Sequence, residues 1–408
     1  MQRGGTRLRL WIAAALAGLA AVAVLVAVPA LERAAAGQRP RAAATPAPNV
    51  LSTAGLSGRA WFVSAAAGWV LVEVPTAGLP RMELLSTADA GVTFQRTLAW
   101  DGGAAPETLR LFDANRAFVA VRVRPEALHV FTTLDGVHWR GGDSPSPAAG
   151  VSFVDPSTGW AAYRRGASVV VDRTADGGQT WSHLATFAAP PEVDPHAWLD
   201  FVDARDGLMG SLAPGRLASL YATHDGGATW APVALPPPAE RVGAAGSSVL
   251  SGIAALSADG PVPIQLTIFP RQGDRHAHSY LYVSSRGLGG WSQPRALPAA
   301  EWQAAGQERL VATSGRVLFT SRDGARTWRS VRASLPLAAP ANGAAFQPFQ
   351  FVAPAFLDDR VGWATLVATQ RCEGGAHPQT CAEHPEVRWA IARTTDGGST
   401  WSLVDAHA

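Results

Sequence analysis

Beyond residue 50 the chain is written in short apolar or alternating runs, broken at regular intervals by polar clusters rich in glycine, aspartate and proline. Ala167 to Asp172 and Leu217 to Ala222 are typical. Runs of this length bounded by turn formers predict strands, and no stretch in this part keeps a long helical period. The pattern before residue 50 differs. Leu10 to Leu31 is 22 residues without a charge, interrupted only by Pro29 and preceded by Arg3, Arg7 and Arg9. As a helix it would be about 33 Å long, enough to cross a hydrocarbon core. A secretory signal usually has an apolar stretch of only about 7–15 residues, which favours an uncleaved transmembrane anchor. The alternative is a cleaved signal sequence, with Ala34-Ala35-Ala36 as a small-residue site and the rest secreted. Either way the arginines keep the N-terminus cytoplasmic and place the remainder on the extracytoplasmic side. Three parts are expected: a basic head and transmembrane or signal segment over 1–36, an Ala/Pro-rich linker over 37–49, and a β-domain over 50–408.

The β-domain repeats. Thr174-Ala-Asp176-Gly-Gly-Gln-Thr180-Trp181 recurs from Thr223 to Trp230 and from Thr394 to Trp401, with a close variant from Ser321 to Trp328. Weaker copies are Thr87 to Phe94, Thr133 to Trp139 (one residue short) and Ser284 to Trp291, where Arg286 replaces the aspartate. A second unit precedes several copies: an aromatic, a polar turn, then Gly-Trp. It reads Phe153 to Trp160 and Phe356 to Trp363, is similar from Trp61 to Trp69, and is degraded from Phe112 to Phe118 and from Phe201 to Leu208. An aspartate fixes a tight turn by accepting backbone N–H bonds, glycines supply positive φ, and the closing Trp covers the turn. Each unit thus predicts four strands. Asp89, Asp135, Asp176, Asp225, Asp323 and Asp396, with Arg286, count seven units, which suits a seven-bladed β-propeller. Six blades remain the alternative, because the fifth unit lacks its aspartate and carries a longer insertion, Gly260 to Ser279, while the sixth lacks the Phe…Gly-Trp half.

The Thr-x-Asp-x-Gly-x-Thr-Trp unit resembles the Asp-box, or bacterial neuraminidase repeat, of sialidases, sortilin-type receptors and secreted propellers. Paired with Phe-x-Asp-x-x-x-Gly-Trp, it looks most like the photosystem II stability/assembly factor propellers. The resemblance covers residues 50–408. It implies a propeller outside the cytoplasm whose Asp-box aspartates are structural, at the blade periphery. It also implies a protein or membrane-complex partner, for which a photosystem is one possibility. A sialidase would need an arginine trio, a Tyr nucleophile with a Glu partner and an acid–base Asp. None of Tyr163, Tyr221, Tyr280 or Tyr282 sits in such a setting, and Arg124-Pro125 is the nearest string to that family's Arg-Ile-Pro signature.

Composition alters this picture in three places. All 34 basic residues are Arg, and six of them lie before residue 45; the remainder holds 28 Arg against 31 acidic residues, net −3. The basic character is the leader's, and a nucleic-acid role is not expected. Cys372 and Cys381 share one polar loop and are expected to form a disulfide after export, a metal site with His377 and His384 being the alternative. Arg271, Asp274, Arg275, His276 and His278 cluster in the fifth-unit stretch, and Arg164-Arg165 follows Trp160. Arg271, Arg275, His276 and His278 are therefore candidate partner-binding residues, since long loops carry function more often than scaffolds do, and Arg164 and Arg165 are candidates because they could line an axial channel or one face and bind acidic groups. Arg122 and Arg124, in the second unit, are expected to line the same axial channel or face. No catalytic residue, metal or cofactor site is expected. The reading is a non-enzymatic scaffold, with a sialidase-like glycoside hydrolase or a carbohydrate-binding propeller as rivals.

Overall fold

The computed structural model describes residues 58–74, 80–102, 106–124, 127–189, 198–239, 242, 246–252, 262–270, 277–284, 288–299, 301–304, 309–334, 350–358, 360–369 and 387–405. Leu10 to Leu31, the linker, and Cys372 and Cys381 lie outside them.

The strands form seven sheets. Blade 1 is β1 (Gly58–Phe62), β2 (Gly68–Val74), β3 (Arg81–Thr87) and β4 (Gln95–Asp101). Blade 2 is β5 (Pro106–Leu111), β6 (Ala117–Arg124), β7 (Ala127–Thr133) and β8 (Trp139–Asp143). Blade 3 is β9 (Gly150–Phe153), β10 (Gly159–Arg165), β11 (Ser168–Thr174) and β12 (Ser182–Ala188). Blade 4 is β13 (Trp198–Phe201), β14 (Gly207–Gly210), β16 (Leu220–Thr223) and β17 (Ala231–Val233), with β15 (Leu212–Pro214) between β14 and β16 in the chain. Blade 5 is β18 (Ser247–Gly252), β19 (Pro263–Phe269), β20 (His278–Val283) and β21 (Arg295–Ala296). Blade 6 is β22 (Glu301–Ala304), β23 (Leu310–Ser314), β24 (Val317–Ser321) and β25 (Arg329–Arg332). Blade 7 is β26 (Gln350–Phe356), β27 (Gly362–Thr369), β28 (Val387–Thr394) and β29 (Ser402–Asp405). Each is an antiparallel meander, and the seven make a β-propeller. The expected alternative of six blades is thereby excluded.

The fifth blade corrects the sequence reading. The stretch Gly260 to Ser279 is no insertion. It contains β19, which is buried and pairs with both β18 and β20. Its run of Ile264, Leu266 and Ile268 is a central strand whose turn motif has eroded. Blade 5 also gains a fifth strand: β15 leaves blade 4 and pairs with the free edge of β18.

Seven apolar cores lie between successive blades, one per neighbouring pair, the last joining blade 7 to blade 1. Among the described residues no sheet mixes strands from the two ends of the chain. Within these residues the ring is closed by packing between blades 7 and 1.

The Phe…Gly-Trp unit works across that packing. In blade 3 the Phe153 ring lies over Gly159, so close that a Cβ there would sit 2.7 Å from it. The same contact recurs for Phe62 over Gly68, Phe201 over Gly207 and Phe356 over Gly362. Blade 2 makes the pair with Leu111 and Ala117 instead. The following Trp then stacks on the next blade's Phe: Trp160 on Phe201 at 3.8 Å and Trp363 on Phe62 at 4.2 Å. Trp69, Trp160 and Trp363 are fully buried. Of the closing tryptophans, Trp139 and Trp401 are buried, whereas Trp181, Trp230, Trp291 and Trp328 are half-buried.

Candidate functional site

Antiparallel order sorts the connections onto two faces. Turns between first and second strands and between third and fourth strands share one face, here the turn face. Hairpins between second and third strands, and the blade-to-blade connections, share the other, the hairpin face.

The aspartates occupy the turn face and are fully engaged there. In blade 3, Asp176 Oδ1 accepts bonds from Thr174 Oγ1 at 2.8 Å and the Thr180 amide at 2.9 Å, and Oδ2 accepts one from Thr180 Oγ1 at 2.6 Å. Thr174 Oγ1 in turn accepts the Gly178 amide at 2.9 Å. Asp89, Asp225, Asp323 and Asp396 repeat this set. Asp135, in the shortened copy, uses His138 Nδ1 at 2.7 Å where the others use a threonine hydroxyl. The turn needs two successive residues at positive φ. Gly177 and Gly178 supply them in blade 3, while Ala90 precedes Gly91 in blade 1 and Ala325 follows Gly324 in blade 6. The Thr180 hydroxyl and amide hold Asp176 at a pKa of about 2, and the corresponding threonines hold Asp225 and Asp396 at about 2. Asp89, Asp135 and Asp323 are likewise lowered, chiefly by bonds from Thr93, His138 and Thr327. These carboxylates are ionised acceptors with their capacity taken up, which suits a structural role and not proton transfer.

The two sequence units also meet here. The Gly177 amide donates to Ser157 O at 2.9 Å, Gly226 to Arg205 O at 2.8 Å, Gly397 to Arg360 O at 2.9 Å, and Ala90 to Ala66 O at 2.7 Å. Each links an aspartate turn to the turn before the second strand of the same blade, which opens with Gly-Trp in blades 1, 3 and 7 and with Gly207-Leu208 in blade 4. Trp160 Nε1 adds a bond to Gly226 O of the next blade at 2.8 Å.

Between the first strands of blades 2, 3 and 4 lies a cavity of about 340 Å³, lined by Glu107, Thr108, Arg110, Ser152, Trp198 and Asp200 among others. Sequence reasoning singled out none of these. Arg110, from blade 2, donates to Phe153 O and Phe201 O at 3.0 Å each and lies 3.5 Å from Asp200 Oδ1. Ser152 Oγ donates to Asp200 Oδ1 at 3.0 Å and accepts the Phe201 amide at 2.9 Å. Burial pushes the Asp200 carboxyl above its ordinary range, against the pull of Arg110 and Ser152. Arg110 is thus a bolt through three blades. Arg122, expected on a channel or face, is bonded to Glu107 at 2.6 Å and to Pro147 O.

Of the candidate partner-binding residues, Arg164, Arg165 and His278 are described, and Arg271, Arg275 and His276 lie outside the described residues. Arg164 donates to Gly166 O and Ala189 O, half-buried against its own blade. Arg165 is exposed, its guanidinium 5.8 Å from the Tyr163 ring centroid. His278 opens β20, opposite Ile268, and is exposed. The ends of β10 and β11 and of β19 and β20 place all three on the hairpin face. Arg216 and Arg316, which the sequence reading passed over, occupy hairpin tips on that face and are exposed.

No protein-family model matches the chain, and no curated protein matches it. Solved structures of similar fold include YCF48 bound to D1 peptide, at 16% identity and a TM-score of 0.45, covering 84% of this chain and 96% of that one. Another is the β-propeller domain of the Trilobed protease from Pyrococcus furiosus, at 8% identity and 0.49, covering 87% and 99%. A third is the polysaccharide lyase Uly1, at 10% identity and 0.44, covering 90% and 94%. At these identities the likeness is one of fold alone.

Proposed function

We propose that the chain is a non-enzymatic extracytoplasmic scaffold of the Asp-box kind, most like the photosystem II assembly-factor propellers, tethered to the membrane through Leu10–Leu31. Its hairpin face meets a protein or membrane-complex partner. The observation that carries this reading is the inequality of the two faces. On the turn face the repeated carboxylates are saturated by their own turns, and their glycines are crowded. On the hairpin face, tips such as Gly166 and Gly315 have nothing within 4 Å of where a Cβ would sit. A rigid ring that spends its polar groups internally on one side and leaves projecting tips on the other is suited to presenting loops.

The test is capture of the tagged full-length protein from its native membrane in gentle detergent, with partners identified by mass spectrometry. A stoichiometric membrane complex is expected. Capture should be lost when 271–276 is replaced by a short Gly/Ser turn or when Arg164 and Arg165 become Glu, with thermal unfolding unchanged. Deleting Gly260–Ser279 would be the wrong control, because it removes a core strand. Recovery of the bait alone, or capture that survives both changes, sinks the reading.

A further inference from the structure

We propose that the cavity between the first strands of blades 2, 3 and 4 binds a neutral sugar ring, either a free hexose or the end unit of a glycan. The site is independent of the scaffold reading, because its residues lie on inner strands and not at the hairpin tips. Side chains two apart on a strand share a face. Trp198 and Asp200 therefore stand on one face of β13, Thr108 and Arg110 on one face of β5, and both pairs line the cavity. Arg110 makes its bonds through Nη1 alone, to Phe153 O, Phe201 O and Asp200 Oδ1. Among the described residues nothing bonds its Nε or Nη2, and no side chain reaches Asp200 Oδ2. The two side chains keep 15% and 23% of their surface accessible. The cavity thus presents guanidinium donors next to a carboxylate acceptor, and Ser152, bonded to Asp200 Oδ1 at 3.0 Å, holds that carboxylate in place.

The chemistry of this wall selects the occupant. A hydroxyl both donates and accepts, so two neighbouring hydroxyls serve a carboxylate oxygen and a guanidinium edge together. The charges in the wall are paired: Arg110 lies against Asp200, and Glu107 is bonded to Arg122 at 2.6 Å. A neutral ligand leaves that balance intact, whereas a net-charged one would carry an uncompensated charge out of water. Burial holds the Asp200 carboxyl above its ordinary range even with Arg110 and Ser152 beside it. A ligand hydroxyl donating to Oδ2 would offset that penalty. Trp198 adds an aromatic wall. It is half-buried, packed against Gly210 and Gly252, and belongs to neither repeated sequence unit. An aromatic face beside a few convergent polar groups suits the C–H face of a sugar ring. The volume of about 340 Å³ is at the small end for ligand pockets, which fits one ring and not a chain.

The experiment uses the full chain in a detergent without a sugar headgroup. Saturation-transfer NMR is recorded with methyl α-D-glucoside, methyl α-D-mannoside and methyl β-D-galactoside, and with glycine as a zwitterionic control. At least one glycoside should bind with a dissociation constant of about 10 mM or tighter. Asp200→Asn, close to isosteric, should weaken that binding at least tenfold, because Oδ2 or its replacement no longer accepts as a carboxylate. Thr108→Phe fills the cavity from β5 without touching the Arg110–Asp200 pair and should abolish binding. Thermal unfolding of both variants is measured alongside, and if one fails to fold the other decides. Val92→Ser on the turn face should leave the affinity unchanged. No signal from any glycoside at about 50 mM overturns the proposal and leaves a water-filled cavity. Binding that survives both Asp200→Asn and Thr108→Phe overturns it too, since the sugar would then sit elsewhere. So does a signal from glycine with the glycosides silent, since the occupant would then be a zwitterion. None of these outcomes depends on partner capture.

Discussion

Trp363 lies flat on Phe62, ring centroids 4.2 Å apart and planes within 9°, so the last blade meets the first through two aromatic rings. These residues belong to the same sequence unit at opposite ends of the propeller. Trp363 is fully buried, and among the described residues no strand is shared to back up the contact. Trp363→Ala is expected to cost about 3–5 kcal/mol of unfolding free energy, the usual range for a buried large aromatic. Denaturant titration checks this, and a loss below about 1 kcal/mol would mean that the ring closes by other contacts.

The glycine before that tryptophan gives a sharper test. Gly159→Ala puts a methyl group into the Phe153 ring and should destabilise by about 1–3 kcal/mol. Blade 2 accommodates an alanine at the matching position because its partner is Leu111. Phe153→Leu combined with Gly159→Ala should therefore recover much of the loss. A double mutant that is simply additive would show that the ring contact does not set the cost.

The aspartate turns predict an acid transition. Asp176, Asp225 and Asp396 titrate near 2 in the folded protein against an ordinary 3.8. A depressed folded pKa contributes stability that is complete above the unfolded value and lost as pH falls through the folded one. Unfolding free energy should be flat on this account from about pH 5 upward and fall between about pH 4 and 2. These turns are solvent-exposed, so screening reduces the size of each contribution. Asp176→Ala should lose about 1–3 kcal/mol at neutral pH and flatten part of that acid slope.

Positive φ at non-glycine residues predicts two different outcomes for one substitution. Ala90 has φ 64° and Ala325 has φ 70°. Ala90→Gly should stabilise by about 1 kcal/mol by relieving the left-handed conformation. Ala325→Gly should gain less, because its methyl group is buried in the core between blades 5 and 6. Paired thermal unfolding of the two variants decides it, and equal shifts would contradict the packing argument.

Arg110 predicts a pH-linked defect. Arg110→Ala leaves Asp200 enclosed without its guanidinium and should cost on the order of 2 kcal/mol at neutral pH. Asp200 already sits above its ordinary pKa and would rise further. A raised carboxyl favours the protonated form, so the variant should regain stability as pH falls and lose it as pH rises through the folded pKa. Asp200→Asn in the same background should remove that dependence. A pH-independent loss would show that Arg110 acts only through the two strand-end carbonyls.

The repeat was legible in the sequence because turn chemistry is local. The aspartate, the glycines and the paired hydroxyls of Thr174-to-Trp181 fall within eight residues, and six such aspartates and one eroded copy were enough to count seven blades. The same locality explains the failure in blade 5. The alternation of Ile264, Leu266 and Ile268 is that of a strand, but with Arg286 in the aspartate's place and no Phe…Gly-Trp half no repeat unit assigns it to a blade, and its place as a core strand comes from pairing with β18 and β20. Tertiary structure alone decided the rest. Arg110 meets Asp200 across 90 residues because the propeller brings the first strands of blades 2 and 4 together. Arg165, Arg216 and Arg316 share a face because antiparallel strands return every second-to-third-strand hairpin to the same side. Composition and spacing fix which residues turn the chain. Which side chains those turns gather onto one surface depends on long-range pairing, which no local pattern records.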